Sequence, residues 1–140
     1  MDCIFCKIIK RELPSSLIYE DELCFAFLDI HPMTEGHVLI IPKVHKERFT
    51  QLEAQTAGHL FKVGHKILKG IEKSEIRSEG ANLFLSDGVV AGQEVMHTHL
   101  HIAPRFEGDG QRVGFMHADP GQVSRNSLDE IALKISIHIN

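Results

Sequence analysis

The sequence predicts an α+β domain in which an antiparallel sheet of about five strands is combined with one long helix and a C-terminal helix. Short apolar runs separated by brief polar turns indicate strands that follow one another along the chain. One segment, residues 57–71, repeats apolar residues at helical spacing. His97, His99 and His101 alternate with other residues, which is the period of a strand. Strands joined by short turns, with one long helix inserted, favour an antiparallel α+β arrangement.

The first part of the chain is expected to form a short helix and three strands. Apolar spacing over residues 4–9 predicts the helix, with Asp2 as its N-cap and Pro14 beyond its end. Two short strands joined at a polar turn should follow. The third strand is nearly all apolar, so it is expected at the centre of the sheet. These three strands are residues 17–20, 24–28 and 37–41.

Two pairs of residues have the spacing of a capping box, in which two side chains satisfy the free N–H groups at the start of a helix. Thr50 and Glu53 precede the long helix, and Ser127 and Glu130 precede the C-terminal helix. We therefore expect each pair to mark the beginning of its helix.

The strand that carries the histidines is expected to follow another short strand and a flexible loop. Residues 82–85 predict the strand, and residues 87–92 predict the loop. Pro104 should end the histidine strand and place the Arg105 guanidinium beyond it.

Length and composition indicate one globular domain, residues 1–140. The net charge of −4 argues against binding a nucleic-acid polymer, and no apolar run approaches the roughly 20 residues of a membrane span. The N-terminus shows no secretory signal pattern, and three cysteines, an odd number, argue against a disulfide framework. A cytoplasmic location is therefore expected.

The three alternating histidines are the strongest functional signal in the sequence. On one face of a strand, their side chains would lie about 7 Å apart. They could be an accident of a polar face, three ligands of a catalytic metal ion, or a site where a neutral imidazole attacks phosphorus. Gly88 and Gly92 lie just before the strand, and a glycine-containing loop lets backbone N–H groups approach an anion. This neighbourhood favours the phosphate chemistry.

Residues 97–103 (HTHLHIA) resemble the His-φ-His-φ-His-φ-φ signature of the histidine-triad nucleotide hydrolases and transferases, where φ is apolar; Thr98 is a loose fit. The resemblance extends over most of the chain. The cysteines and the Pro104-Arg105 pair are similar to the bacterial branch of that family. The other stretches that carry the resemblance are residues 3–9, 27–30, 36–43 and 91–93.

The resemblance implies a role for each of several residues. His99, the middle histidine, would attack the α-phosphorus of a nucleotide, and His101 would donate a hydrogen bond to a phosphoryl oxygen or to the leaving group. Gln93 would supply an amide beside the phosphate, and Asp29 would bind the ribose hydroxyls. The base pocket, whose residues could equally be simple core, would be formed by Ile4, Phe5, Ile8, Leu13, Leu28 and Ile30.

The sequence departs from many members of that family at two of the expected substrate contacts. Ser86 stands where many relatives carry Asn or Gln, and its shorter side chain would change the contact with the leaving group. Glu94 stands where many carry Ser or Thr, and a carboxylate there would repel phosphate unless it turns away or pairs with a cation.

Cys3 and Cys6 have the two-residue gap that lets two thiolates bind one metal ion. The alternatives are a redox pair or two buried thiols without metal. By resemblance to the cysteine-bearing relatives, His45 and His97 would complete a structural zinc site. Four protein ligands would leave no open position on the zinc, so His99 would stay free for chemistry.

The predicted function is hydrolysis of purine nucleoside phosphoramidates or nucleotidyl esters through a nucleotidyl-histidine. The alternatives are hydrolysis of dinucleoside polyphosphates and a non-catalytic nucleotide-binding regulatory role. The family resemblance also implies a homodimer that joins two sheets edge to edge. An apolar stripe on the long helix could pack on its own sheet or on a partner: Leu60, Gly64, Ile67, Leu68 and Ile71.

The remaining histidines are expected to have no catalytic role. His59 and His65 should lie on the surface of the long helix, and His37 should bond within the scaffold. His31, His117 and His138 should lie in loops or near the chain end.

Overall fold

The computed structural model describes residues 2–112 and 123–139, so His117 lies outside the described residues. Its five strands form one antiparallel sheet in the order β1-β2-β3-β5-β4. This confirms the predicted α+β class. The strands are β1 (Leu17–Glu20), β2 (Cys24–Leu28), β3 (Val38–Pro42), β4 (Gly80–Phe84) and β5 (Leu100–Arg105), and the helices are α1 (Ile4–Ile9), α2 (Ala54–Lys73) and α3 (Arg125–Ser136).

The two faces of the sheet carry two separate apolar clusters, because side chains alternate along each strand. On the α2 face, Val38 and Ile40 of β3 pack with buried α2 residues such as Leu60. On the α1 face, Leu39 and Ile41 pack with residues from α1 and β2. All five residues of β3 are buried, which confirms its predicted central position.

β5 begins later and ends later than the sequence indicates. It starts at Leu100, so His97 and His99 precede it, and it continues through Pro104 to Arg105. The expectation that Pro104 ends the strand is wrong. The ladder between β3 and β5 stops at Ile102, so the missing N–H of Pro104 leaves no β3 partner unpaired. The carbonyl of Pro104 instead accepts a 2.6 Å hydrogen bond from the Thr34 hydroxyl.

The predicted N-cap of α1 is one residue too early. Cys3 is the N-cap, and its Sγ accepts a hydrogen bond from the Cys6 N–H at 3.4 Å. Asp2 forms an ion pair with Lys7 at 2.7 Å instead.

Both predicted capping boxes are also wrong. Thr50 lies in a separate 3₁₀ turn, Phe49–Gln51, and α2 begins after Glu53, which makes no side-chain capping bond. At α3 the cap is Ser124, whose hydroxyl accepts the N–H of Ser127 at 3.1 Å. At α3 the nearby Ser124 takes the place of the predicted cap, whereas α2 begins without a side-chain cap.

Asp21 joins the turn between β1 and β2 to the long helix. One of its carboxylate oxygens accepts hydrogen bonds from the Tyr19 hydroxyl and from His59 of α2, at 2.8 and 2.6 Å. The other oxygen accepts the backbone N–H groups of Leu23 and Cys24. His59 is therefore a half-buried structural residue and not a free surface one.

No helix in the described part of the chain is long and apolar enough to cross a membrane. All described side chains of α3 are exposed, so the main apolar clusters are formed by the sheet, α1 and α2.

Two glycines of α2 provide a test of this packing. A methyl group at Gly64 would lie 3.2 Å from Leu100, whereas nothing lies within 4 Å of one at Gly70. We expect Gly70→Ala to stabilise the fold by about 0.5–1 kcal/mol through helix propensity. Gly64→Leu should destabilise it by about 1–3 kcal/mol through overpacking. Urea unfolding measures both values, and equal effects of the two substitutions would contradict the packing of α2 on the sheet.

Candidate active site and metal cluster

The three alternating histidines lie on the α1 face, although only His101 belongs to β5. His101 pairs with Leu39 of β3, which packs in the α1-face cluster. The imidazole centroids of His99 and His101 are 4.9 Å apart. Phe5 of α1 contacts the rings of His97 and His99 edge-on, with centroids 5.9 and 5.1 Å away. The alternation in the sequence thus brings three imidazoles side by side.

A backbone carbonyl fixes the proton of His99. Its Nδ1 lies 2.8 Å from the carbonyl oxygen of His97, which can only accept, so Nδ1–H donates and Nε2 carries the lone pair. Burial lowers the pKa of His99, although the His97 carbonyl and the negative charges of Asp29 and Glu94 partly oppose this shift. His99 is therefore neutral near pH 7, with an unprotonated Nε2 available as a nucleophile.

A second backbone group fixes the protons of His37 and His101. The Met33 N–H donates to Nδ1 of His37 at 3.0 Å, so a neutral His37 carries its proton on Nε2. That Nε2 lies 3.0 Å from Nδ1 of His101, which must accept. A neutral His101 therefore carries its own proton on Nε2, where it can donate to a ligand.

Burial and neighbouring rings keep this pair neutral. Burial lowers the pKa of His101 to about 4, and the adjacent His99 and His37 add to the effect. Burial also lowers the pKa of His37, although Asp29 opposes it. Phe84 of β4 stacks on the His101 ring with centroids 4.3 Å apart and an interplanar angle of 7°, so the plane of the donor ring is fixed.

His37 is the functional residue that sequence reasoning missed. It was expected only to bond within the scaffold, yet it is 3% exposed and determines the tautomer of His101. It lies two residues before Leu39, which is opposite His101 in the sheet. Strand alternation could have placed His37 on the histidine face, but only once the pairing of β3 with β5 was known.

Five residues predicted to form the site line one cleft of about 260 Å³: Asp29, Ser86, Glu94, His99 and His101. One oxygen of Asp29 accepts the His31 N–H at 2.9 Å, and the other lies 3.6 Å from Nε2 of His37. The cleft therefore combines a neutral nucleophile and an N–H donor with a carboxylate.

Gln93 is not in this cleft, because its amide holds the neighbouring loop together. Its oxygen accepts the Gly88 N–H at 2.7 Å, and its nitrogen donates to the carbonyls of Glu47 and Val95 at 2.8 and 3.0 Å. The side chain is buried and both amide hydrogens are used. We therefore correct the expectation of a phosphate contact: Gln93 positions the loop. Gly92 has a φ of 98°, a conformation that glycine adopts without strain, and lines the cleft.

The six apolar residues expected to form a base pocket do not gather at the cleft. Phe5 is buried beneath His99, and Ile8 packs in the same α1-face cluster. Leu28 lies on the α2 face and lines a different cavity. The other three are largely exposed: Ile4, Leu13 and Ile30. Successive side chains of a strand point to opposite faces, so Phe27 faces the histidine side of the sheet and Leu28 faces the α2 side.

The four predicted metal ligands do converge. Nδ1 of His97 lies 3.6 Å from Sγ of Cys3 and 3.7 Å from Sγ of Cys6. Nδ1 of His45 lies 3.4 Å from Sγ of Cys6 and 3.2 Å from Nδ1 of His97. Ligand atoms of a tetrahedral Zn²⁺ site would be separated by about 3.3–3.8 Å, given Zn–N and Zn–S bonds of about 2.0–2.1 and 2.3 Å. The cluster is compatible with zinc binding.

The proton positions support the same fit. Nε2 of His97 donates to the Pro42 carbonyl at 2.8 Å, so its Nδ1 presents a lone pair to the two thiols. Burial and the neighbouring Cys3 raise the pKa of Cys6, which disfavours a free thiolate. A bound divalent cation would lower the pKa of Cys6 and so favour its thiolate form. Nε2 of His45 is buried with no partner in the described chain, so the Nδ1 contacts orient this ring.

A second group of possible ligands, Asp29, His37 and His101, does not suit a metal ion. The Met33 N–H holds the lone pair of His37 on Nδ1, so the proton sits on Nε2, the atom that faces the other two residues. A metal ion would have to replace that proton. These residues are better described as a chain of hydrogen bonds.

A sequence model of the HIT domain matches residues 10–108, which is most of the chain. The chain belongs to the histidine-triad (HIT) family. Two relatives illustrate its range. An uncharacterized HIT-like protein of Borreliella burgdorferi is 43% identical over 140 residues, 99% of each chain. The adenylylsulfatase HINT3 of Arabidopsis thaliana is 40% identical over 108 residues, which cover 77% of this chain and 54% of the plant protein.

Solved structures of HIT proteins share this fold. A HIT family protein from Bacillus anthracis superposes with a TM-score of 0.92 at 39% identity, covering 99% of this chain and 98% of that one. A zinc-bound histidine-triad protein from Mycobacterium smegmatis has a TM-score of 0.77 at 35% identity, covering 96% and 98%.

The lowered histidine pKa values predict an unusual pH profile. An imidazole can act as a nucleophile only in its neutral form, and burial moves the pKa of His99 below its ordinary value of 6.5. As pH falls from 8, kcat/KM for a substrate whose phosphate carries one fixed charge should decline with a midpoint below pH 6.5. A decline with its midpoint at or above pH 6.5 would contradict the buried, neutral site.

Proposed function

We propose that this HIT protein hydrolyses purine nucleoside phosphoramidates or nucleotidyl esters at the α-phosphate through a nucleotidyl-histidine on His99. One observation carries the proposal: a carbonyl holds the His99 proton on Nδ1, so the nucleophilic Nε2 lone pair is fixed beside the His101 donor. The purine preference rests on the family resemblance.

In the first step, Nε2 of His99 attacks the α-phosphorus and forms an N–P bond. The bond from phosphorus to the leaving atom breaks, and its electron pair goes to the leaving atom, which departs with a proton taken from solvent. Nε2–H of His101 donates a hydrogen bond to the atom on which negative charge develops. The Asp29 carboxylate, at the edge of the same cleft, accepts hydrogen bonds from ribose hydroxyls.

In the second step, water attacks the phosphorus of the nucleotidyl-histidine. The N–P bond breaks, its electron pair returns to Nε2 of His99, and the proton of the water goes to solvent. The products are a nucleoside monophosphate and the unmodified protein. Because a proton enters in the first step and leaves in the second, the site ends in its starting state.

The alternatives are hydrolysis of dinucleoside polyphosphates and nucleotide binding without chemistry. The oriented lone pair of His99 supports catalysis over simple binding, since a docking site has no need of an unprotonated nitrogen at that position. The name of the Arabidopsis relative, adenylylsulfatase, supports adenylyl compounds as the substrate class.

Removing the nucleophile tests the proposal. We expect His99→Ala to lower kcat by several orders of magnitude, about 10³-fold or more, while nucleotide Kd stays within a few-fold. His101→Ala should cost less, since it removes one hydrogen bond. The control is His65→Ala, an exposed residue of α2. The assay compares an adenosine phosphoramidate, a guanosine phosphoramidate, a diadenosine polyphosphate and a nucleotide sugar. His99→Ala activity above a tenth of wild type would refute the assignment.

We also infer that Cys3, Cys6, His45 and His97 hold one structural zinc ion. The ligand spacing supports it, as does the zinc-bound histidine-triad protein of similar fold. Zinc would tie α1 to the segment before β5 that carries the nucleophile. All four positions would be occupied by protein, so this ion would not activate water.

Metal analysis tests the zinc site. Protein purified without chelator should contain close to one zinc per chain. Cys3→Ser combined with Cys6→Ser should lose that metal and lower the unfolding temperature, because two thiolate ligands and an anchor of α1 disappear. Cys24→Ser is the matched control, since Cys24 is a buried thiol outside this cluster. Full zinc content in the double variant would refute the ligand assignment.

The homodimer and the cytoplasmic location stay predictions. β1 and β4 are the two edge strands of the sheet, and a second sheet would pair at one of them.

A further inference from the structure

Glu94 lies at the edge of the histidine cleft but has no role in the proposed reaction. It directly follows the buried Gln93, yet its own side chain is exposed. It lines the histidine cleft and also a neighbouring cavity of about 340 Å³. Glu94 is the residue that the two spaces share. A leaving group in the cleft that reaches Glu94 therefore also reaches the edge of the neighbouring cavity, here named the side cavity.

Both spaces are lined by carboxylates. Asp29 and Glu94 line the cleft, and Asp2, Glu47 and Glu94 line the side cavity. Asp2 is paired with Lys7, but neither Glu47 nor Glu94 forms an ion pair among the described residues.

No lysine or arginine of the described chain lines either space. Cys3 and His45 of the candidate zinc cluster also line the side cavity, but a Zn²⁺ ion held by two thiolates and two neutral imidazoles adds no net charge there. A substrate that enters the cleft and the side cavity therefore meets Glu94 and Glu47, two carboxylates that form no ion pair among the described residues.

This charge distribution separates the possible leaving groups. Every further phosphate on the leaving group adds negative charge close to Glu94, where repulsion is not offset by a basic side chain. An amine with a positive tail would be attracted instead. Apolar walls formed by Ile4, Val95 and Met96 suit an aliphatic stem between the phosphorus and the charge.

We propose that Glu94 is a specificity-determining residue: it selects leaving groups that carry a positive charge on an aliphatic stem, and the side cavity holds that stem. The inference rests on the proposed hydrolysis at His99 and specifies its substrate class as adenylated alkyl amines with a cationic tail. Extended polyphosphates are disfavoured. Ser or Thr, which many relatives carry at this position, would lack this charge selection.

The experiment uses three adenosine phosphoramidates with the same P–N bond and the same stem length, ending in an ammonium, a methyl or a carboxylate group. For wild type we expect kcat/KM to fall in that order.

Glu94→Gln keeps the size of the side chain and removes its charge, and should reduce the ammonium-to-carboxylate preference about threefold to tenfold. Glu94→Ser should reduce this preference by a similar factor. Glu72→Gln, an exposed residue of α2, is the control and should change nothing. High salt should weaken the preference in wild type more than in Glu94→Gln.

Binding measurements keep the inference separate from the proposed reaction. Titration calorimetry with His99→Ala, which leaves the three compounds intact, should give Kd values in the same order. Absence of turnover of all three compounds by wild type would refute the proposed reaction, and the Kd order would still decide the role of Glu94. An ammonium-to-carboxylate preference that is absent, or that is equal in wild type and Glu94→Gln, would overturn the inference.

Discussion

Hydrogen bonds between histidine rings and fixed backbone groups decide which nitrogen atoms of this site can react. The Pro42 carbonyl takes the Nε2 proton of His97, and the His97 carbonyl takes the Nδ1 proton of His99. The Met33 N–H occupies Nδ1 of His37, and through it fixes His101. Each ring would otherwise exchange between two tautomers. Because these backbone groups are held by the sheet and its adjoining turns, the reactivity of the site depends directly on the fold.

These hydrogen bonds also give His97 and His99 different roles. His97 turns its lone pair toward the cysteines, while His99, two residues on, keeps Nε2 for the cleft. Phe5 packs against both rings, so α1 supports the proposed nucleophile and supplies the thiols of the proposed zinc site. A helix of only six residues is not stable alone. Packing against the sheet and the Cys/His cluster therefore hold α1 in place. Disrupting that cluster would also disturb the position of His99, because α1 packs against both.

Sequence patterns predicted the features that depend on local periodicity. The long amphipathic helix and the buried central strand follow from side-chain spacing alone, whereas the three histidines share one face although His97 and His99 precede β5. Features that depend on pairing between distant segments did not follow. The part played by His37 requires the register of β3 against β5, and the bracing role of Gln93 requires contact with Glu47. Leu28 was assigned to a pocket by motif position, but alternation along β2 turns it to the α2 face.

The covalent intermediate is the most direct test of the central claim, that a fixed lone pair on His99 performs the chemistry. Protein mixed with adenosine phosphoramidate would be quenched in alkali within milliseconds, digested and analysed by mass spectrometry. The account predicts one adenylyl group on His99, stable to alkali and labile to acid, formed at the rate at which the amine is released. Amine release in a burst equal to the protein concentration without adenylated His99, or with the group on another residue, would contradict it.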